Sequence, residues 1–299
     1  MTTDYTQMLE TKQNIDGFAV SAEIMFSNHK NVYKKSIEKR QTKLMKNISF
    51  IAPFLVEDEQ ILLVTTGCSP VSFLEQMTTG WIVFYLKRSL FVFTNMRIFH
   101  IPTKTNYSYR DSIAQILYDD CLKIDQKGRS LVVKFKSGKK EKFIYIARKE
   151  RKKIKALMKN IPLNDSQREL PQRTHLCPQC TNPLIKNEYI CPHCELEFKN
   201  KTEARRFSIL YPGGGYFYTR HPWLGISDAI AEFSLTCFVI YSILDVFEGD
   251  EGAMADVIFF SIILILEKLV TIYHSNHFIK EYIPDEKEIT TISTPTAFE

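Results

Sequence analysis

The chain has 299 residues, 44% hydrophobic and 24% charged, and this balance excludes a largely disordered protein because it suffices for packed cores. The net charge of +5 is unevenly divided: residues 1–160 hold 28 Lys and Arg against 15 Asp and Glu, whereas residues 161–299 hold 11 against 19. A basic N-terminal half suits an anionic membrane leaflet, an acidic partner or nucleic acid, so charge alone does not choose among these classes.

The N-terminal region, residues 1–49, is predicted to be helical over residues 6–47, which contain few helix breakers. Its first residues have no basic start and no apolar core, so no secretory signal is expected. Apolar residues cluster at 18–26, and basic residues dominate 34–46. We favour a solvated helix face packed on the next domain, and the alternative is an amphipathic helix lying on anionic lipid.

Residues 50–160 change to short β-prone runs separated by turn residues, and this pattern predicts a small antiparallel sheet or barrel. Ser137-Gly138-Lys139 separates two of the runs and indicates a hairpin. A basic helix is predicted at Ala147–Lys159, where the apolar residues share one face. The predicted strands are Ile61–Thr65, Trp81–Leu86, Leu90–Phe93, Met96–Ile101, Leu131–Lys136 and Lys142–Ile146.

Several strands followed by one helix resemble the pleckstrin-homology (PH) superfold, particularly its bacterial and GRAM-like members. Phe91–Ile98 is similar to the strand–turn–strand of these domains, in which a Leu-Thr-x-x-Arg pattern recurs. The resemblance implies a PH-like β-barrel with a C-terminal helix that binds lipid headgroups or protein surfaces and is not catalytic. We expect Arg97 to be a structural hydrogen-bond donor rather than a ligand contact. The candidate lipid- or partner-binding residues are on the basic helix: Lys149, Arg151, Lys152 and Lys153.

The most specific motif of the chain follows a polar linker at residues 161–174. Cys177-Pro-Gln-Cys180 and Cys191-Pro-His-Cys194 are two C-x2-C pairs, separated by ten residues. Each pair can wrap a tight turn around one metal, and together they supply four thiolates in the tetrahedral arrangement that zinc prefers. No coordination position remains open for water, so the site is expected to be structural.

Residues 175–200 resemble a zinc ribbon, although Thr181 and Glu195 stand where the commonest ribbons have Gly after the second Cys. Two disulfides would need an oxidising compartment, and a redox C-x-x-C would need only one pair. Iron in a rubredoxin-like site uses the same geometry and stays an alternative to zinc. About 25 residues surround the site, too few to fold without a metal, so a structural role is favoured over nucleic-acid binding.

Two apolar runs, Leu224–Phe247 and Ala253–His274, hold 24 and 22 residues. At about 1.5 Å of rise per residue, each helix would exceed the roughly 30 Å of a bilayer's hydrocarbon layer. Residues 205–282 are therefore predicted to form a two-helix transmembrane hairpin. Basic residues flank the pair on its outer ends and the connecting loop has none, so both termini are expected in the cytoplasm. The alternative is a buried helical hairpin in a soluble protein, because each run carries three charged residues.

The segment before the first run resembles the start of a small bacterial family of paired transmembrane helices. Its members begin with Pro-Gly-x-Gly, then Phe-Tyr, a basic residue and Gly-Ile. The residues that match are Pro212, Gly213, Gly215, Phe217, Tyr218, Arg220, Gly225 and Ile226. We expect the glycines to let the backbone fold closely. Four aromatic residues are expected to form a belt at headgroup level, namely Tyr211, Tyr216, Tyr218 and Trp223.

Glu232 and Lys268 are predicted to pair inside the membrane. If the turn is centred near Gly249 and Asp250, residues at equal sequence distance from it lie at similar depth on antiparallel helices, and these two satisfy that condition. An isolated charge in hydrocarbon is unfavourable and usually finds a partner or a watery cavity. The alternative is that Lys268 extends to the cytoplasmic interface while the carboxylates face another subunit.

The sequence therefore predicts a multidomain α+β protein that crosses the inner (cytoplasmic) membrane twice. It contains no cofactor fingerprint and no nucleophile–base pair, so an enzyme is not expected. The leading hypothesis is a membrane-tethered adaptor that binds anionic lipid or a protein partner and holds structural zinc, with self-association through the hairpin. The predicted regions are 1–49 (helical), 50–160 (PH-like), 161–174 (linker), 175–200 (ribbon), 205–282 (hairpin, with spans at about 224–247 and 253–274) and 283–299 (polar tail).

Two other functions stay open at this point. The first is a membrane-bound nucleic-acid-binding regulator that uses the ribbon and the basic helix, although few basic and aromatic residues surround the cysteines. The second is an enzyme or transporter that uses the intramembrane charges. This function is the least favoured, because the chain has only two predicted spans, unless the protein oligomerises. Nucleic acid is therefore the less favoured partner, and membrane lipid the more favoured one.

Overall fold

The computed structural model describes residues 12–15, 17–164, 171–250 and 252–285. The first residues of the predicted N-terminal helix, most of the polar tail and part of the linker lie outside the described residues. The chain divides into two compact units, Met1–Lys186 and Asn187–Glu299. The division falls between the two cysteine pairs, so each unit contains one pair.

The larger sheet of the first unit has seven strands, β1 (Lys12–Ile15), β2 (Phe18–Ser21), β3 (Ile61–Cys68), β4 (Arg88–Thr94), β5 (Arg97–Pro102), β6 (Ile113–Leu117) and β10 (Thr174–Leu176). Its order is β1-β2-β3-β4-β5-β6-β10, and only the β2–β3 pair is parallel. Strands β3 to β6 are therefore neighbours in chain order, an arrangement that antiparallel strands reach with short connections. The predicted strands at Ile61–Thr65, Leu90–Phe93 and Met96–Ile101 are confirmed, with ends that differ by up to three residues.

The smaller sheet is antiparallel and consists of β7 (Cys121–Lys127), β8 (Ser130–Phe135) and β9 (Lys140–Phe143). Gly128 and Gly138 lie in its two turns with φ of +55° and +83°, a region that glycine adopts without strain. The hairpin predicted around Ser137-Gly138-Lys139 is confirmed. Neither sheet closes on itself, so the fold is mixed α and β and the predicted barrel is not confirmed.

The helices described in the first unit are α1 (Ala22–Met25), α2 (Lys35–Met45), α3 (Phe73–Thr79), α4 (Ile82–Leu86) and α5 (Arg151–Asn160), with 3-10 turns at Lys46–Phe54 and Tyr118–Asp120. The predicted basic helix is α5. Two other predictions are wrong. β1 and β2 replace part of the N-terminal helix, because Gly17 at φ +85° turns the chain into a hairpin. The run Trp81–Leu86 is helical rather than extended: Gly80 ends α3 at φ +59°, and α4 begins two residues later.

The core of the first unit covers both faces of the larger sheet. Alternate residues of β4 enter different clusters: Phe91 and Phe93 face one that also contains β8 and the apolar side of α5, whereas Leu90 and Val92 face another. All four side chains are fully buried. This alternation follows from the two-residue period of a strand, and it explains why all four residues from Leu90 to Phe93 are apolar.

The second unit is helical in its described part, with α6 (Lys201–Leu210), α7 (Gly214–Tyr218), α8 (Pro222–Glu248), α9 (Ala253–Phe278) and a 3-10 turn at Ile279–Glu281. Pro222 occupies the first position of α8, where its missing N–H leaves no helical hydrogen bond unmade. Gly249 ends the helix at φ +93°, as glycine commonly does at this position. The stacked rings of Phe238 and Phe260, 5.1 Å apart, are one contact between the antiparallel helices α8 and α9.

Glycines allow close backbone contacts at the start of α8, as the sequence indicated. A Cβ at Gly213 would lie 2.1 Å from the carbonyl oxygen of Gly225, and one at Gly214 would lie 2.2 Å from that of Phe207. Any larger residue would therefore push α7 away from α6 and α8. The four aromatic residues of the expected belt differ in exposure: Trp223 is 83% exposed, whereas Tyr216 is buried.

By length and composition, α8 is the one helix among the described residues that could cross a membrane, with a mean hydropathy of 1.8 in its most apolar window. The second predicted span, α9, does not meet the same criterion. One candidate span among the described residues is a weak indication of membrane association, and it does not support the predicted two-pass topology.

Candidate metal centre and charged clusters

Each cysteine pair lies in a tight turn of its own unit. In the first turn, Cys177 accepts a backbone hydrogen bond from Thr181 at 3.0 Å and donates one to Asn182 at 2.8 Å. In the second, Cys191 accepts from Glu195 at 3.0 Å and donates to Leu196 at 2.9 Å. The two turns therefore repeat the same hydrogen bonds, as two halves of one ribbon would.

Thr181 and Glu195 both have φ of +61°, the left-handed conformation. These are the positions at which the sequence lacks the glycine of the commonest ribbons. Two non-glycine residues therefore adopt a conformation that glycine favours, at a cost of roughly 1 kcal/mol each.

The four cysteine sulfurs lie within 4.8 Å of one another. Cys177 and Cys191 are buried, and Cys180 and Cys194 are half-buried. Four thiols at this spacing can hold one tetrahedral ion with sulfur distances near about 2.3 Å, and the soft donor set fits zinc or iron. With all four positions taken by sulfur, such an ion would hold the two turns together and leave no place for substrate.

The structure divides the four candidate lipid-binding residues into two kinds. Lys149 and Lys152 are exposed. Arg151 is half-buried and donates from Nε to the carbonyl of Ile146 at 2.7 Å. Lys153 is buried, and its Nζ donates to the carbonyls of Met25 and Ser27, both at 2.7 Å. Only the first two are free to meet a partner outside the fold.

Burial lowers the pKa of Lys153 to about 7, against the opposing effect of the Glu150 carboxylate. A neutral amine keeps two N–H groups, and two carbonyl acceptors surround it. The side chain therefore joins α5 to the N-terminal segment in either protonation state.

A second basic surface lies on α2, next to the start of α5. Arg40 of α2 and Glu150 at the N-cap of α5 form an ion pair of 2.5 Å. The exposed lysines of this surface follow helical spacing at Lys35, Lys39 and Lys43, with Lys46 just beyond the helix. With Lys149 and Lys152 they give the first unit a lysine-rich surface, which we call the basic surface.

The expectation that Arg97 is a structural donor is confirmed. Its Nε and Nη2 donate to the two carboxylate oxygens of Glu59 at 2.9 and 2.6 Å, and Nη2 also donates to the Phe54 carbonyl at 2.6 Å. Thr94 Oγ1 donates to the same carboxylate at 2.7 Å. Sequence reasoning missed Glu59, because its partner lies 38 residues away.

One buried serine–histidine contact of the first unit has the wrong environment for a nucleophile and its base. Ser69 Oγ lies 2.9 Å from His100 Nε2, but the Arg173 guanidinium, not a carboxylate, lies 2.9 Å from Nδ1. Burial and the Arg173 charge hold the pKa of His100 well below its usual range. The arrangement therefore orients side chains inside the fold and does not assemble a general base.

In the second unit, Lys268 Nζ lies 2.5 Å from Glu232 Oε2, so the two residues that the sequence placed at equal depth are in contact. Lys268 also donates to the carbonyl of Ser208 at 2.9 Å, and the other Glu232 oxygen lies 3.5 Å from the backbone nitrogen of Gly213. Glu232 is 2% exposed. The pair thus joins α8 and α9 to α6 and to the glycine segment.

Two further carboxylates, Asp228 and Glu267, lie beside this pair, and oxygens of all three acids lie within 4.8 Å of one another. Thr271 Oγ1 is 2.9 Å from Asp228 Oδ2 and 3.2 Å from Glu267 Oε1. In the sequence, these acids are among the charged residues that favoured a buried hairpin over a membrane span. The structure instead gathers them with Lys268 on the side where α8 and α9 meet.

No family model matches this chain, and neither a curated protein nor a solved structure shows significant similarity to it. The resemblances noted from the sequence therefore stay hypotheses.

Proposed function

We propose that the protein is a non-enzymatic membrane-tethered adaptor, anchored by its helical unit and contacting anionic lipid or a protein partner through its first unit. The observation that carries this proposal is the exposure of α8. Only 11% of the residues in its most apolar window are buried. A core helix of a soluble protein would be mostly buried, whereas the described residues leave this surface uncovered, which supports lipid as its environment.

The inverted distribution of side chains in α8 supports lipid as that environment. Glu232 is buried, whereas its neighbour Phe233 is 68% exposed. Water favours the opposite arrangement, and a bilayer favours this one because charges inside it are expected to face other polar groups. α9 repeats the pattern, with Lys268 paired and the adjacent Leu269 exposed.

This repetition is the reason to propose that α9 also crosses the membrane, as the second span of a hairpin with both ends cytoplasmic. Its 26 residues match the 27 of α8, and the two helices share one polar cluster. The connecting residues between Glu248 and Ala253 contain no Lys or Arg, whereas Lys199, Lys201 and Arg205 precede the pair. That asymmetry favours a cytoplasmic N-terminal side.

We propose further that β3 to β9 and α5 form a PH-like domain. Four consecutive antiparallel strands, three more in a second sheet and a following helix share one hydrophobic cluster, which supports this proposal. The basic surface, with six exposed lysines, would supply its attraction to anionic headgroups. In the ribbon we propose structural zinc rather than iron, since no electron-transfer partner is implied by an adaptor.

The membrane tether can be tested with a native thiol. Cys237 lies near the middle of α8 and is exposed, whereas Cys68 and Cys121 are buried. Intact membranes carrying the full chain are treated with a charged, membrane-impermeant maleimide, and the Cys237 peptide is quantified by mass spectrometry. We expect labelling only after the membranes are dissolved in denaturing detergent. Rapid labelling of Cys237 in intact membranes would contradict the tether.

A further inference from the structure

The segment between β3 and β4 presents an apolar surface that the core of the first unit does not use. It consists of α3 and α4, residues 73–86, which we call the helical insertion. Phe73 is 78% exposed, Met77 66% and Trp81 79%, and Ile82 and Tyr85 are also exposed. Isolated exposed apolar residues are common on proteins, but five large ones in one short segment mark an interaction surface.

The charged groups of this segment point inward. Glu75 and Lys87 form an ion pair of 3.3 Å, and both side chains are 2% exposed. Ser72 and Glu75 form a reciprocal capping box at the start of α3, with hydrogen bonds of 2.8 and 3.1 Å. The insertion is therefore held at its base by polar contacts, and its exposed surface is uncharged.

An aromatic pocket of about 250 Å³ lies beneath the insertion. Phe84 meets the ring of Tyr145 edge-on at 4.7 Å, and the Arg88 guanidinium lies over the rings of Tyr85 and Tyr107 at 4.7 and 5.2 Å. These contacts fix α4 against the strands. The exposed rings therefore project from a supported element, which is the condition for a surface that docks as a unit.

Charge indicates which occupant fits this surface. Within residues 69–88, all of which the structure describes, the one acidic residue is the buried Glu75. Arg88 borders the pocket, and the exposed Arg148 and Lys149 follow Tyr145 closely in the chain. An uncharged apolar tip that contains Trp and Tyr, with basic residues beside it, matches the interfacial layer of an anionic bilayer. A surface that binds a protein partner more commonly has a polar rim around its apolar centre.

We propose that the helical insertion is a bilayer-docking element, which places Phe73, Met77 and Trp81 in the interfacial layer of an anionic membrane. This inference rests on the proposed function and deepens it, because it names the residues that touch lipid and the class of lipid. The tether keeps a bilayer within reach of the first unit, so even a few apolar side chains suffice for docking. The basic surface adds long-range attraction, and the insertion adds the apolar contact.

The chain offers a direct readout, because Trp81 and Trp223 are its two tryptophans. The variant W223F leaves Trp81 as the sole reporter, and W81F leaves Trp223. Both full-length variants are placed in nanodiscs of phosphatidylcholine with or without phosphatidylglycerol, containing lipids brominated near the headgroup end of their chains. Bromine quenches only a tryptophan that contacts the lipid.

We expect Trp81 emission to shift to shorter wavelength and to fall at least twofold on bromination in anionic nanodiscs, and to respond less in neutral ones. In the W223F background, Met77→Ser with Phe73→Ser should remove most of this quenching, whereas the exposed Gln76→Ala should not. Circular dichroism and Trp81 emission in detergent identify variants that fail to fold.

The result distinguishes failure of this inference from failure of the tether. If Trp223 is quenched and Trp81 is not, the insertion does not touch lipid and the inference is overturned while the tether stands. If Trp81 is shielded from aqueous acrylamide but unquenched by bromine, a protein or a second copy covers it, which also overturns the inference. If neither tryptophan is quenched, the tether fails as well.

Discussion

The first unit and the α8–α9 pair both contain a carboxylate–cation pair, but they differ in the exposure of their apolar side chains. In β4, Phe91 and Phe93 are fully buried, as water requires. In α8, Phe233 is 68% and Phe247 84% exposed. The carboxylates of the Glu59–Arg97 and Glu232–Lys268 pairs are both buried, and backbone carbonyls support both cations, although Lys268 is only half-buried. The proposed membrane anchor would account for this difference, because lipid around α8 would accept the apolar side chains that water around the first unit excludes. Charge burial alone does not separate the two regions.

The short segment around the four cysteines differs from both regions, because it has too few residues for a large core of its own. Cys191→Ser should therefore have the largest effect, because structural zinc contributes roughly 10–16 kcal/mol to such modules. We expect one metal ion per chain in the wild type and none in C191S, measured by inductively coupled plasma mass spectrometry. The control is Cys237→Ser, outside the cluster, which should keep the metal. Retention of the full metal content in C191S would show that the four thiols are not the site.

The polar cluster of the helical pair gives the next largest effect. Glu232→Gln removes the carboxylate in contact with Lys268, which is 24% exposed, while Asp228 and Glu267 remain near the pair. The variant should therefore cost up to about 3 kcal/mol, because the lysine charge is then less well compensated. The double variant E232Q/K268M should recover most of this loss. The measurement is the amount and thermal stability of the full chain extracted in mild detergent. Glu248→Gln, an exposed acid at the end of α8, is the matched control and should change stability by less than about 0.5 kcal/mol. Equal losses in the single and double variants would contradict a coupled pair.

Buried Lys153 should make the stability of the first unit depend on pH. Its folded-state pKa of about 7 is below the ordinary 10.5, so between these values the unfolded chain binds a proton that the folded chain lacks. Stability therefore rises with pH across this window, by up to about 1.4 kcal/mol per unit, and the penalty for the charge is fully present below pH 7. Between pH 7.5 and 9.5 the wild type should gain about 2 kcal/mol more than K153M. Denaturant unfolding is followed by Trp81 fluorescence in W223F, with K152M as the exposed control. A parallel pH dependence in K153M and its parent would contradict this assignment.

The smallest effect is expected at the exposed residues of the basic surface. Lys149→Gln with Lys152→Gln should weaken binding to phosphatidylglycerol vesicles by about 1 kcal/mol per lysine, and added salt should reduce the difference. The full chain is held in phosphatidylcholine nanodiscs on a biosensor, and vesicles or duplex DNA are passed over it. Lys123→Gln, also exposed but on β7, is the control. If the double variant loses DNA binding while vesicle binding stays unchanged, the nucleic-acid alternative replaces the lipid one.

Local patterns predicted a large part of the fold. Short β-prone runs identified β3, β4 and β5, turn residues identified the β8–β9 hairpin, and helical spacing identified α5. The spacing of the four cysteines identified a cluster that the structure brings together. In each case the interactions that determine the feature are close in sequence, so the residue period or spacing is enough to predict it.

The remaining features depend on contacts that are distant in sequence. The run Trp81–Leu86 has β-prone residues, but it forms α4 and packs through Phe84 on Tyr145, which is distant in sequence. Glu59 could not be assigned to Arg97 without the sheet that brings them together. Strands β6 and β7 were missed because their apolar pattern is short and interrupted.

The most direct test of the central claim is where the untagged full chain goes when lysed cells are treated with alkaline carbonate and floated on a density gradient without detergent. The account predicts that the protein floats with the membranes, as proteins held by apolar helices do. Recovery of the folded protein in the soluble fraction would contradict it, because α8 would then be covered by protein rather than by lipid.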